Sequence, residues 1–598
     1  VTFRGSGVDF NQLLQQNQKL YQQKWETNSS PEGQFSKLEV QGKPPFLLDE
    51  TEEGALLLKP NPLKLSACLI VCDNERTIGP CLESLAPWVD EIVVVDTGSV
   101  DLTPEICKEY GSRVYSWAWR DDFSAARNES FKYAQGEWIF WMDSDDTLPP
   151  ECGQRLHDLV KSDIDPNTMG FVGQVHCPNK NSTDVTVVDH VKLIRNRSDL
   201  RFEFRIHEQI LPSIGRAGGY VEWSEIYVVH SGSDQSAEGR KRKLERDYRL
   251  LELDHRERPH HPFVLFNLGM TYADDQKYET AAQYLKECIE VADPNESQVR
   301  KAYALLTNAL SQCGKHEEAW KYCLQGLEQY PSDKELLFRQ AMLHHHFGRL
   351  HEAEETYLRV LNETEERHFS SIDVGLSGCK SRHNLALVYE DLGDYDRAEE
   401  QWRSIIAKDP SIKTAWRGLG ELLLKAEKVK ELEQLIFEMS EQKDPQIDGC
   451  IFNARVHELQ GAYQSAIQIL QNHFDHNEDN LDVLQELCRI AFKYSTRQES
   501  LKLLITLAEK TPGDASVYHN LGTCHLQLKQ YEQAISAYQH SLELRPHSPE
   551  TWHLLGHAYF NLGDSQNAQS AWHEVLNLSP GHAEASRLLN SLFEDTLV

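Results

Sequence analysis

Trp138 to Met142 is a run of five apolar residues leading directly into Asp143, Ser144, Asp145 and Asp146. Such a run reads as a buried strand, and ligands of open α/β sheets collect at the carboxyl ends of strands, so these carboxylates emerge where a substrate would sit. Two carboxylates one residue apart can hold a hard divalent cation through oxygen, and that cation can neutralise a departing diphosphate. The same residues would also serve as an acidic loop capping a helix near Glu151. A second concentration lies in RFEFRIHEQIL, where Arg201, Arg205, His207 and Glu208 share one short element. Glu208 can take a proton from an attacking nucleophile, with Asp146 and Asp122 as reserves, or pair structurally with Arg201 or Arg205. Arg127 can clamp a phosphate through parallel hydrogen bonds, or pair with Asp121 or Asp122. His230, after an apolar segment, reads as a metal ligand or a satisfied core imidazole.

The elements that must position these groups alternate at short spacing. Leu65 to Cys72 is apolar, Thr77 to Ala86 reads as a helix, and Glu91 to Val95 is a β-branched run ending at Asp96. Thr103 and Pro104 open a second helix, a strand surrounds Val114, and a third helix runs from Phe123 to Ala134. This alternation predicts a parallel sheet covered on both faces. Met169 to Cys177, Val185 to Ile194 and Val221 to His230 are strand-like without clear helices between them, which predicts a mixed extension of the sheet.

A basic helix spans Gly239 to Leu253, and from Pro262 the chain repeats. Ala319 and Ala353 stand 34 residues apart, and the same step links Ala398, Leu432, Ala466, Ser500, Ala534 and Ala568. Ala281 extends the series backwards, and Glu366 to Cys379 reads as a loop insertion, giving about nine units. Gly522, Tyr538 and Pro546 recur as Gly556, Trp572 and Pro580: small residues let helices approach, aromatics fill between units, and Pro ends the second helix. These units resemble tetratricopeptide repeats over 262–580, with 581–598 as a capping helix. Residues 1–60 are polar and predict a poorly ordered arm with one short helix near Phe10 to Trp25, 61–238 form the α/β domain, and 239–261 a linking helix.

LSACLIVCDNE, VDEIVVVDTGSVDLT and DDFSAARNESFKYAQGEWIFWMDSDD together resemble family-2 glycosyltransferases, especially the bacterial branch fused to tetratricopeptide repeats, which includes peptide-modifying transferases. The resemblance is close from Leu65 to Leu148 and looser to Gly232. It implies an α/β GT-A fold, a Rossmann-like mixed sheet, followed by an all-α repeat superhelix. It further implies a nucleotide-sugar site in which Cys72, Asn74 and Glu75 lie over the nucleoside, with Asp96 beside uracil and ribose. Thr97 follows where many relatives carry a second Asp. By the same resemblance Arg127 faces the nucleotide, Asp143, Ser144 and Asp145 meet the diphosphate, and Asp143, Asp145 and His230 hold Mn²⁺ or Mg²⁺. Glu208, in an HE segment of the repeat-bearing branch, becomes the general base of an inverting transfer.

The bulk numbers narrow the partners. A net charge of -32, with 93 acidic against 61 basic residues, excludes a general nucleic-acid footprint. No apolar stretch approaches a membrane-spanning length, no leader pattern opens the sequence as given, and 13 cysteines without metal-ligand spacing fit buried thiols. The expectation is a cytoplasmic, metal-dependent transferase using a UDP-sugar, with a protein or peptide acceptor recruited by repeats that could also support a homo-oligomer. The alternatives are a repeat scaffold with an inactive transferase domain and a transferase acting on a non-protein glycan. A sugar nucleotidyltransferase would need a Gly-rich phosphate loop that CLIVCDNERTIGP lacks, and a membrane-embedded polysaccharide synthase would need spanning helices.

Overall fold

The computed structural model describes residues 63–178, 185–230, 236–362, 374–442 and 446–595. The expected N-terminal arm with its short helix and residues 366–373 of the expected insertion lie outside the described residues. The chain divides into two compact units, one ending at Asp394 and the other beginning at Tyr395.

The first unit opens with β1 (Leu65–Val71), α1 (Ile78–Leu85), β2 (Glu91–Asp96), α2 (Thr103–Glu109), β3 (Arg113–Ser116), α3 (Phe123–Phe131) and β4 (Trp138–Trp141). The four strands pair in parallel, β1 between β2 and β4. Their side chains alternate between two apolar layers, as strand geometry requires. Ala67, Leu69 and Val71 pack with α1 residues Ile78, Cys81, Leu82 and Leu85, whereas Cys68, Val93, Ile139 and Trp141 pack with Phe131 and Phe202. Burial on both faces explains why these strands read as continuous apolar runs.

After β4 come β5 (Asp146–Thr147), α4 (Pro150–Lys161), β6 (Thr168–Pro178), β7 (Val185–Arg195), α5 (Leu211–Arg216) and β8 (Tyr220–His230). The sheet order is β3-β2-β1-β4-β7-β6-β8-β5. β7 runs antiparallel to β4, and β6 pairs antiparallel with β7 and parallel with β8, so the sheet is mixed. α5 stands where the sequence predicts no clear helix: it is LPSIGR, too short to show a helical period and interrupted by Pro and Gly.

α6 (Ala237–Glu257) and α7 (Pro262–Asp274) follow, and the rest of the described chain is helical hairpins. Ala281, Ala319, Ala353, Ala398, Leu432, Ala466, Ser500, Ala534 and Ala568 are each 0% exposed, so the period marks the helix–helix contact of every unit. A Cβ on Gly522 would lie 2.6 Å from the Tyr538 ring, and one on Gly556 2.3 Å from Trp572. Only glycine admits those aromatics at that depth.

Candidate active site

The turn after β4 sends its carboxylates in two directions. Asp146 N–H donates to the Asp143 carbonyl at 3.1 Å, and Asp146 then opens β5, paired antiparallel to β8 with His230 opposite. His230 Nδ1 lies 2.9 Å from Asp146 Oδ1 and 3.6 Å from Asp145 Oδ1. Ligand atoms of Asp145, Asp146 and His230 fall within 4.8 Å of one another, a donor set of two carboxylates and an imidazole. Asp143 faces the other way, accepting from Arg127 Nη2 at 2.9 Å. Of the three expected metal ligands, the structure therefore brings Asp145 and His230 together with Asp146, and turns Asp143 towards Arg127.

Arg127, 4% exposed, joins the two halves of the site. Its Nε donates to Glu208 Oε1 at 2.8 Å, and its guanidinium carbon sits 4.1 Å from the Trp141 ring centroid. Both contacts to Glu208 fall on Oε1, so among the described residues Oε2 accepts no hydrogen bond. Arg127 thus pairs with Asp143 and Glu208, and with neither Asp121 nor Asp122. Asp121 pairs with Arg249, and Asp122 caps α3 by accepting from Ala125 N–H at 2.8 Å. Glu208 meets neither Arg201 nor Arg205: Arg201 donates to backbone carbonyls, and Arg205 pairs with Asp254 and Glu257.

The HE segment is a tight loop closed by a bridge between Glu203 and Gln209, with Phe204 and His207 at φ 72 and 55. Three elements grip it. Phe123 N–H donates to the Arg205 carbonyl at 2.8 Å from the start of α3, and Arg205 N–H donates to Asp254 Oδ2 at 2.9 Å on α6. Phe204 and Ile206 pack among Leu250 and Leu251 of α6 and Val264 and Leu268 of α7. The segment expected as a linker and the first repeat helix are therefore structural supports of the loop that carries Glu208.

Arg127, Asp143, Asp145, Glu208 and His230 line one cleft of about 3480 Å³, together with Cys72, Asn74, Thr97 and Ser144, and Asp146 is buried behind them. Glu75 and Asp96 do not line it. The Glu75 carboxylate accepts from Leu102 N–H at 3.4 Å, and Asp96 Oδ1 accepts from Ser99 N–H at 3.0 Å, shaping the turn after β2. Asn74 Oδ1 accepts from Cys72 N–H at 2.9 Å and so fixes the loop after β1.

Residues 66–219 match the Glycosyl transferase family 2 pattern, and stretches at 264–295, 383–445, 515–548 and 537–570 match Tetratricopeptide repeat patterns. Residues 322–368 also match the pattern of anaphase-promoting complex subunit 5. A TPR repeat-containing protein of Synechococcus elongatus is 26% identical over 58% of this chain and 76% of its own. The SPbeta prophage-derived glycosyltransferase SunS of Bacillus subtilis is 25% identical over 37% of this chain, a match that spans 52% of SunS. A solved structure of MamA is 20% identical over 28% of this chain and 98% of its own, with a TM-score of 0.25. The chain carries a family-2 glycosyltransferase domain fused to tetratricopeptide repeats.

Two further residues of this glycosyltransferase domain stand beside the carboxylates, outside every motif of the sequence. Lys192, 2% exposed, places Nζ 3.4 Å from Asp146 Oδ2 and 3.8 Å from the Trp141 ring centroid. His190 stands edge-on to Trp141 at 5.8 Å. Both lie on β7, two residues apart and against Trp141, and in VTVVDHVKLIR they stand among other polar side chains, which leaves no signal that singles them out. Electrostatics sort the acids. Desolvation opposes ionisation of Asp143, but Arg127 and then Lys192 outweigh it and hold the carboxyl well below its usual range. Burial raises the Asp145 carboxyl, with His230 opposing. The hydrogen bond to Asp146 raises His230, and burial lowers His190 to about 4. Among the described residues no helix is long and apolar enough to cross a membrane.

Proposed function

We propose that this protein is a metal-dependent, inverting glycosyltransferase that moves a sugar from a UDP-sugar to a protein or peptide acceptor. The observation that carries the reading is the convergence of Asp145 and His230 with the buried Asp146, beside the Arg127–Asp143–Glu208 bridge, at the carboxyl ends of β4 and β8 on one cleft. A set of two carboxylates and one imidazole suits Mn²⁺ or Mg²⁺, and would leave coordination positions for phosphate oxygens. When bound, such a cation supplies the positive charge that neutralises the departing diphosphate. Lys192 pairs with Asp146 and fixes its direction, and Arg127 holds Asp143 and Glu208 in fixed relation. The unengaged Glu208 Oε2 is placed to take the proton from the attacking acceptor atom, while Arg127 keeps the carboxylate from rotating away. Cys72, Asn74 and Thr97 offer the edge of the cleft where the nucleoside fits.

A protein acceptor is favoured by the size of the cleft. Pockets fitted to small ligands hold roughly 300–1,000 Å³, and this one continues past Arg246 on α6 to Asp293 and Gln298 in the first repeats. A cytoplasmic setting belongs to the same proposal. The test is a panel of UDP-sugars assayed for UDP release with and without Mn²⁺. Release should require the metal and be abolished in Asp145→Asn with the fold intact. Full turnover by Asp145→Asn, or undiminished turnover in EDTA, would remove the metal from the reading.

A further inference from the structure

The last helical hairpins contain a cluster that a sugar-transfer site does not use. The helix Pro549–Leu562 presents His553 and His557, four residues apart and so on one face, and Glu584 reaches them from the first turn of the final helix, Ala583–Asp595. The two Nε2 atoms face each other at 3.1 Å, and Glu584 Oε2 lies 3.5 Å from the same His553 nitrogen. All three donor atoms fall within 4.8 Å of one another. We propose that His553, His557 and Glu584 bind a divalent transition-metal ion of the zinc class, which clasps the final helix to the rest of the second unit.

A proton on one Nε2 satisfies one of the facing ring nitrogens, yet the carboxylate adds further lone pairs at the same point, a surplus that a cation takes up. Two ligands each about 2.0–2.1 Å from a tetrahedral ion stand about 3.3 Å apart, close to the spacing of the imidazoles. The cluster is anchored on both sides: Trp572 Nε1 donates to the His553 carbonyl at 3.2 Å, and Ala585 N–H donates to His582 Nδ1 at 3.1 Å. His582 is thereby engaged as a helix cap beside the donor set. Two nitrogens and one oxygen disfavour Mg²⁺ and Ca²⁺, which prefer oxygen throughout.

The experiment is calorimetric titration of Zn²⁺ into the full, untagged chain carrying Asp145→Asn, which removes the competing cluster of the transferase domain. One Zn²⁺ should bind, hydrogen exchange across 583–595 should slow with metal, and Co²⁺ should give the visible absorption of a four-coordinate site. Glu584→Gln, a change at an exposed residue, should weaken binding at least about tenfold, and His557→Gln should abolish it, with circular dichroism showing the helices retained. Zn²⁺ affinity unchanged in both variants, no binding in the parent, or protection absent from 583–595 would each overturn the proposal.

Discussion

Arg127 decides how the candidate site holds together. It is buried against Trp141 and lies between two carboxylates, so its charge is costly to bury and is compensated by Glu208 and Asp143 together. Burial works against its protonated form, and those two acids more than restore it. Replacing it with an apolar side chain strands Glu208 in a largely buried position. Arg127→Met should therefore cost about 3 kcal/mol in urea unfolding, the scale for removing one partner of a buried pair. Glu208→Gln is expected to behave differently. The amide oxygen still accepts from Arg127, so stability and UDP binding should hold, while transfer falls roughly 10²-fold or more with loss of the base. Lost UDP affinity in Glu208→Gln would reassign this residue to the donor side.

At the scale of elements, the HE loop depends on helices beyond the sheet. Asp254, 2% exposed, accepts the Arg205 N–H, and its loss leaves that donor buried without a partner. Asp254→Ala should destabilise by about 1–3 kcal/mol and speed hydrogen exchange across 203–209. His261 caps α7 through Nδ1, which accepts from Phe263 N–H at 3.2 Å, and its ring stands 5.1 Å from Phe204. Burial, aided by Arg258, lowers its pKa from 6.5 to about 4. The native state then binds fewer protons than the unfolded chain below pH 6.5, so this contribution is complete above 6.5 and is lost as pH falls towards about 4. Urea midpoints at pH 7 and pH 5 should differ more in the wild type than in His261→Asn, whose side chain caps without titrating.

For the whole molecule, the division of structure differs from the division of sequence. The compact unit ends at Asp394, well past the start of the repeats, and within it α6 and α7 pack their leucines and valine against Phe204 and Ile206. A chain cut after Leu253 would lose Asp254, Glu257 and α7, and should lose UDP-sugar hydrolysis as the HE loop loosens. A chain ending at Asp394 should keep hydrolysis and lose transfer to protein if the later repeats recruit the acceptor. Equal transfer by the Asp394-terminated and full-length chains would confine recruitment to the first unit.

The sequence by itself determined the parts whose signal is local. Apolar runs and their acidic ends mark the strands and the place where carboxylates emerge, because a strand buried on both faces has few polar positions until it leaves the sheet. A 34-residue step marks the repeats, because each unit places one small or apolar residue where its helices touch. Which groups meet was decided only by tertiary structure. Asp146 joins His230 because β5 pairs with the end of β8, residues 84 apart in sequence. Arg127 reaches Glu208 across 81 residues because α3 and α6 grip the HE loop from two sides. Local patterning reports which face of an element is buried; strand register and helix docking set which side chains on those faces converge, and neither leaves a periodic trace in a single sequence.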